Sequence, residues 1–313
     1  MRPETFTVCL PGPLDIPSSV EFLRSWGDDG IDRWDGRTLV RTLPVGHTHV
    51  AYACRPSGSL EAPILHVRVA DAACRREVEK AVRATFVPPP PTYADLLARD
   101  PLLARLERQH PGVRPVRQFD PLTALIRCIT AQQVNLRWAT TVRRRLAEAF
   151  GDRHVIDGHS VYSLRADRLA AATVAELRAL QLTARKAESI IRVAEAIASG
   201  RLTLAELAEL PDEEVIARLT ALPGIGRWSA EWILARTLGR PCVVAGDLGV
   251  RKAVGLAYLD TLVPLEHAVR AATAHWGEAA LTAQALMRIL TARSAMQNTE
   301  RLKTAKLQIS SKI

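Results

Sequence analysis

Leu222–Pro223–Gly224–Ile225–Gly226–Arg227–Trp228 stands between two helical patterns and reads as a tight hairpin. Pro223 fixes its own φ, while Gly224 and Gly226 permit positive φ and leave their backbone N–H groups uncovered by side chains. Bare N–H groups at the start of a helix suit an anion such as a DNA phosphate. An ordinary Pro-Gly turn between helices is the bland alternative. The spacing of the two glycines, with apolar Leu222 and Ile225 around them, favours a helix–hairpin–helix over Glu213–Leu238.

Downstream, Ala245–Gly246–Asp247–Leu248–Gly249 sets one carboxylate, Asp247, ahead of an apolar-periodic helix. Asp247 reads equally as a helix N-cap, and the two roles are compatible. A capping position beside the positive end of a helix dipole favours an ionised carboxylate. That is the form that stabilises a cationic sugar. Trp228 and Trp232 are spaced i, i+4 and share a helix face, as core aromatics or as walls for a stacked base. Following a DNA clamp, the second reading is preferred.

The 313-residue chain is long enough for two or three compact domains, with a formal charge of +9 and a pI near 9.7 that suit a polyanion. No apolar run is long enough to span a bilayer, and Met1–Thr5 lack a signal-peptide profile. Cys9, Cys54, Cys74, Cys128 and Cys242 are scattered without metal-ligand spacing, so reduced cytosolic thiols are expected. Residues 1–87 read as an α+β domain with an antiparallel sheet. Its strands are expected at Thr5–Leu10, Thr38–Leu43, His49–Cys54 and Ile64–Val69, its helices at Pro17–Trp26 and Ala72–Phe86. Residues 88–120 are a Pro-rich linker and an entry helix, Tyr93–Gln109. Residues 121–296 read as all-helical, with a polar tail at 297–313 that frays or lacks order. Thr130–Asn135 interrupts the helical face as a capping turn or a site, and Arg143–Arg144–Arg145 reads as a solvated basic face.

With these residues in view, Phe119 to about Ala292 resembles the helix–hairpin–helix glycosylase superfamily, through Leu222–Ser229 and Gly246–Lys252. It is most similar to the alkylation-repair branch of the 3-methyladenine DNA glycosylase II type. Asp100–Gly112, Ala131–Asn135, Leu182–Gly200 and the N-terminal α+β domain extend the likeness over nearly the whole chain. The resemblance implies an all-α glycosylase fold that flips alkylated bases out of duplex DNA and hydrolyses their N-glycosidic bonds. It makes Asp247 the catalytic acid and puts Trp228, Trp232, Leu248 and Arg288 at base-pocket positions. Gln133 takes the place of the wedge that fills the gap left by a flipped nucleotide, and Gly224, Gly226 and Arg227 that of the phosphate clamp. The main-chain carbonyls of Thr220, Leu222 and Ile225 would hold a structural Na⁺ or K⁺; no other cofactor is implied. The implied partner is damaged double-stranded DNA, met by a cytoplasmic, nucleoid-associated monomer with no membrane contact. Three departures bear on the base spectrum. Gln133 replaces a Leu wedge, Leu248 an aromatic, and Arg288 a late pocket aromatic. Trp228 also stands where lyase members carry a Schiff-base lysine, so water rather than an amine is expected to attack.

Overall fold

The computed structural model describes residues 2–290 apart from Trp26 and His47. The polar tail expected at 297–313, the end of the 121–296 segment and the Trp26 end of the first expected helix lie outside the described residues. Five antiparallel strands, β1 (Glu4–Cys9), β2 (Arg33–Trp34), β3 (Leu39–Val45), β4 (Thr48–Gly58) and β5 (Pro63–Val69), form one sheet in the order β1-β5-β4-β3-β2. β5 alternates as its sequence dictates, with Leu65, Val67 and Val69 buried and His66 and Arg68 exposed. One face packs on the helix Arg75–Arg83 through Val78 and Val82.

The other face carries Val40, Ala51 and Ala53 and is covered by Ile156 and Val161. Coverage on both faces accounts for the unbroken buried run Val50–Cys54 in β4. Ile156 and Val161 come from a two-stranded hairpin, β6 (Gly151–Ile156) and β7 (His159–Leu164), which corrects the all-helical expectation for residues 121–296. Its turn residues Asp157 and Gly158 have φ of +48° and +76°. Asp-Gly with both φ positive is the turn whose twist matches paired strands.

The helices follow the expected periodicity, with breaks where proline or strain intervenes. Tyr93–Gln109 is not one helix but two, Tyr93–Arg99 and Pro101–Gln109. Pro101 forces the preceding residue out of helical geometry, and extended Asp100 caps the second helix by accepting from the Leu103 N–H at 3.0 Å. The helical stretch that follows Leu265 is likewise divided, at Gly277, where φ is +48°. Helices Pro121–Ala131, Leu136–Phe150 and Ala184–Ala198 supply Leu125, Ile129, Leu146, Ile190 and Val193 to the main helical core.

By internal packing the chain falls into two units that do not follow cuts at 87, 120 and 296. Among the described residues, one joins 2–88 to 112–242 and the other 89–111 to 243–290. In the first, Arg41 donates to the Arg117 carbonyl at 2.9 Å. In the second, the Tyr258 hydroxyl and His275 Nε2 meet Asp100 Oδ2 at 2.6 and 3.0 Å.

Candidate functional site

The hairpin in the first unit joins helix Asp212–Thr220 to helix Arg227–Ile233. The turn closes when the Ile225 N–H donates to the Leu222 carbonyl at 3.1 Å, and the Ile225 side chain is buried in the helical core. Gly224 has φ +79°, and a Cβ there would collide with the Ser189 hydroxyl. Gly226 does not use the positive φ that glycine permits. It is the N-cap of the second helix with φ −101° and ψ 177°, a conformation open to any residue. What glycine contributes at 226 is bare surface, since a Cβ there would meet nothing within 4 Å. No side chain caps this helix, so its first-turn N–H groups stay open to an anion.

The Arg227 guanidinium is engaged by Glu231 at 2.9 Å and Glu213 at 3.3 Å, which together hold its pKa above the ordinary range. Its charge is therefore largely answered within the protein, and the anion-binding capacity of the hairpin rests on backbone. The Leu222 carbonyl takes one turn hydrogen bond and keeps a second lone pair. With the Thr220 and Ile225 carbonyls it is oxygen-only chemistry suited to an alkali cation.

Trp228 and Trp232 both lie on helix Arg227–Ile233 and both are partly buried. Trp232 packs against the helical core, so part of its ring is structural.

Gln133 is exposed and adopts φ +53°, in the left-handed region that non-glycine residues rarely enter. The turn around it is built from both sides. Helix Pro121–Ala131 ends before it, and Asn135 starts the next helix by accepting from the Trp138 N–H at 2.8 Å. The neighbouring Gln132 donates its side-chain amide to the Gly224 carbonyl at 2.9 Å, tying this turn to the hairpin. Lys186 also reaches the turn, a contact that the sequence reading missed. Val134, Leu136 and Trp138 are exposed apolar side chains beside Gln133.

The second unit carries Asp247, which caps helix Leu248–Val254 by accepting from the Val250 N–H at 3.0 Å. Its own N–H donates to the Val244 carbonyl at 2.9 Å. The loop is braced from behind: the Val244 N–H donates at 2.9 Å to the side chain of buried Gln284, within the helical residues 280–290. Gln284 went unnoticed in the sequence, although a lone amide inside the apolar run Ala279–Met287 was a signal. Arg288 lies on the same stretch. Burial holds its guanidinium below the ordinary arginine range, and the Asp247 carboxylate partly opposes that shift. Leu248, the residue after the acid, is 55% exposed.

The reading of Arg143–Arg144–Arg145 as a solvated face holds for exposed Arg144 but fails at Arg143. Arg143 is no solvated face: it is buried and paired with Asp29 at 2.9 Å, and also meets the hydroxyls of Thr130 and Thr140. Arg127 bridges Asp29 and Asp32 at 3.0 and 2.9 Å, and Arg41 meets Asp32 at 2.6 Å. Burial pushes the Asp29 carboxyl up, but Arg127 and Arg143 outweigh it and hold the group below its ordinary value.

Residues 126–279 match the HhH-GPD superfamily of base excision DNA repair proteins. A DNA-3-methyladenine glycosylase of Bacillus subtilis is 31% identical over 150 residues, which cover 48% of this chain and 50% of that protein. The chain thus spans about half the length of that relative. DNA-3-methyladenine glycosylase 1 of Schizosaccharomyces pombe is 31% identical over 162 residues, 51% of this chain and 67% of its own length. Among solved structures, a 3-methyladenine DNA glycosylase from Archaeoglobus fulgidus has a similar fold, with TM-score 0.80 at 23% identity over 91% of this chain and 97% of that one. The open hairpin and the capping acid fall within the matched segment, and this chain belongs to the HhH-GPD superfamily of base excision DNA repair proteins.

Proposed function

We propose that this protein is a monofunctional DNA glycosylase that hydrolyses the N-glycosidic bond of alkylated purines, of the 3-methyladenine and 7-methylguanine type, in duplex DNA. The observation that carries this reading is Asp247, held at a helix N-cap in a loop braced by Gln284, in a chain whose position 228 is Trp. An indole forms no imine, so water is the nucleophile. The names of the relatives point to the same substrate class.

In this mechanism the hairpin amides at Gly226 and the start of its helix take backbone phosphate. A Na⁺ or K⁺ on the carbonyls of Thr220, Leu222 and Ile225 would add positive charge there. Gln133 enters the base stack as the damaged nucleotide leaves it, at a cost of roughly a few kcal/mol. The cationic base stacks on Trp228 and Trp232, a cation–π gain of about 0.5–2 kcal/mol. The glycosidic bond then breaks with its electron pair going to the base, whose positive charge is thereby neutralised. Asp247 stabilises the oxocarbenium-like sugar; water bonds to C1′ and loses a proton. The products are free base and an abasic site on an intact strand. The protein acts as a monomer on damaged double-stranded DNA in the cytoplasm, with the nucleoid as its location.

The test is incubation with N-methylated duplex DNA and chromatography of the supernatant. Free methylated base is expected, with no protein–DNA adduct trapped by borohydride. Release of no base, or a damage-dependent trapped band, overturns the reading.

A further inference from the structure

Two carbonyls flank Gln133 on its N-terminal side, and both are held by one ammonium group. Lys186 Nζ donates to the Gln132 carbonyl at 2.7 Å and to the Thr130 carbonyl at 3.1 Å. The Thr130 carbonyl is among the last of helix Pro121–Ala131, where the dipole favours a cation and where carbonyls lack helical partners. Burial holds the ammonium below the ordinary lysine range, and no neighbouring carboxylate offsets this among the described residues. An ion placed in such surroundings is costly unless its hydrogen bonds do something for the chain.

What those bonds hold is a strained turn. Gln133 sits at φ +53°, a conformation that persists only when its surroundings over-determine it. Three ties do so. Lys186 fixes the carbonyls of Thr130 and Gln132, the Gln132 amide is anchored on the Gly224 carbonyl at 2.9 Å, and Asn135 caps the following helix. Lys186 and Ser189 belong to one helix, Ala184–Ala198, and Ser189 packs under Gly224. A single rigid element therefore braces both the turn that presents Gln133 and the hairpin turn.

We infer that Lys186 is a positioning residue for base flipping: it locks the 130–133 turn so that Gln133 is presented as a preformed wedge, in fixed register with the hairpin. This rests on the reading of Gln133 as the wedge. Lys186 touches neither the base nor the sugar. Its loss should slow the insertion step, because the turn would have to be ordered during flipping.

The experiment is a double-mutant cycle of Lys186→Met and Gln133→Ala, read by single-turnover release of 7-methylguanine from duplex DNA. Lys186→Met should slow release from a paired lesion by about tenfold or more, while affinity for undamaged duplex stays within about twofold. In the Gln133→Ala background the same change should cost less than about twofold, as expected when one residue acts only through the other. The deficit should also shrink when the lesion faces an abasic site, where no partner holds it in the stack. Lys186→Arg, which keeps a cation within reach of both carbonyls, should restore most of the rate. Lys186→Gln takes the place of the Met variant in the same cycle if the latter melts below the assay temperature. Equal slowing with and without Gln133, equal slowing on the unopposed lesion, or no slowing on the paired one overturns the inference. A wild-type chain that releases no base refutes the glycosylase reading itself, a different outcome.

Discussion

The Ser189 hydroxyl occupies the space that a Cβ at Gly224 would need, whereas the same atom at Gly226 would meet open solvent. The two hairpin glycines therefore answer to different demands. Gly224→Ala combines a left-handed φ of +79° with a collision and should destabilise the fold by about 2–4 kcal/mol. Gly226→Ala should leave stability within about 0.5 kcal/mol and yet weaken binding to every duplex alike, by crowding the exposed amides. Denaturant melts and fluorescence anisotropy on both variants check this. A Gly226→Ala protein that binds undamaged DNA as wild type does would count against the hairpin as the phosphate site.

Asp247→Asn separates the cap from the charge. Asn caps a helix about as well as Asp, so the Val250 N–H keeps its partner and the melting temperature should barely move. Base release should fall by at least about a hundredfold, since a neutral amide offers little to a developing oxocarbenium ion. Undisturbed release of 3-methyladenine by a folded Asn variant would remove Asp247 from the chemistry.

Asp29 makes stability depend on acid. Its folded pKa lies below the ordinary carboxylate value, so its contribution is complete above that value and is lost as pH falls through the folded pKa. Thermal melts should therefore drop steeply on the acid side of about pH 4. Asp29→Asn leaves Arg127 and Arg143 buried with one carboxylate fewer, and should cost about 3–5 kcal/mol at neutral pH while flattening the acid limb. Melting curves of both proteins from acid to neutral pH give the answer, and superimposable pH slopes would contradict it.

Local signals carried much of this architecture. Apolar spacing read residues 121–296 as helical, the Pro-Gly hairpin announced its own turn, and Gly246–Asp247 marked a cap that the structure forms. The β6–β7 hairpin carries a local signal in Asp157–Gly158, set between the helices Leu136–Phe150 and Ala166–Ala171. Two other misses have a different origin. Nothing local distinguishes Arg143 from Arg144 and Arg145; only the docking of Asp29 from a distant loop makes it a buried ion. Lys186 likewise looks like any helix-surface lysine until the 130–132 carbonyls arrive from another helix. Contacts between elements far apart in sequence are set by packing, and pattern reading within one window does not reach them.

Lesion preference is the sharpest consequence of the proposed chemistry. Under the proposed function, a cationic purine gains from its own activation as a leaving group and from stacking on the indoles of Trp228 and Trp232. A neutral base such as hypoxanthine gains neither. If the Arg288 guanidinium faces the bound base, it opposes a cation and narrows that advantage. Wild-type protein should thus release 7-methylguanine faster than hypoxanthine from matched duplexes. Arg288→Met, which keeps volume and removes the charge, should widen the ratio by about threefold to tenfold, a change of about 0.7–1.4 kcal/mol in the differential barrier. Single-turnover rates on both lesions, for both proteins, decide it. A ratio unchanged by Arg288→Met would remove Arg288 from base selection, and a reversed wild-type ratio would deny that cationic character selects the base.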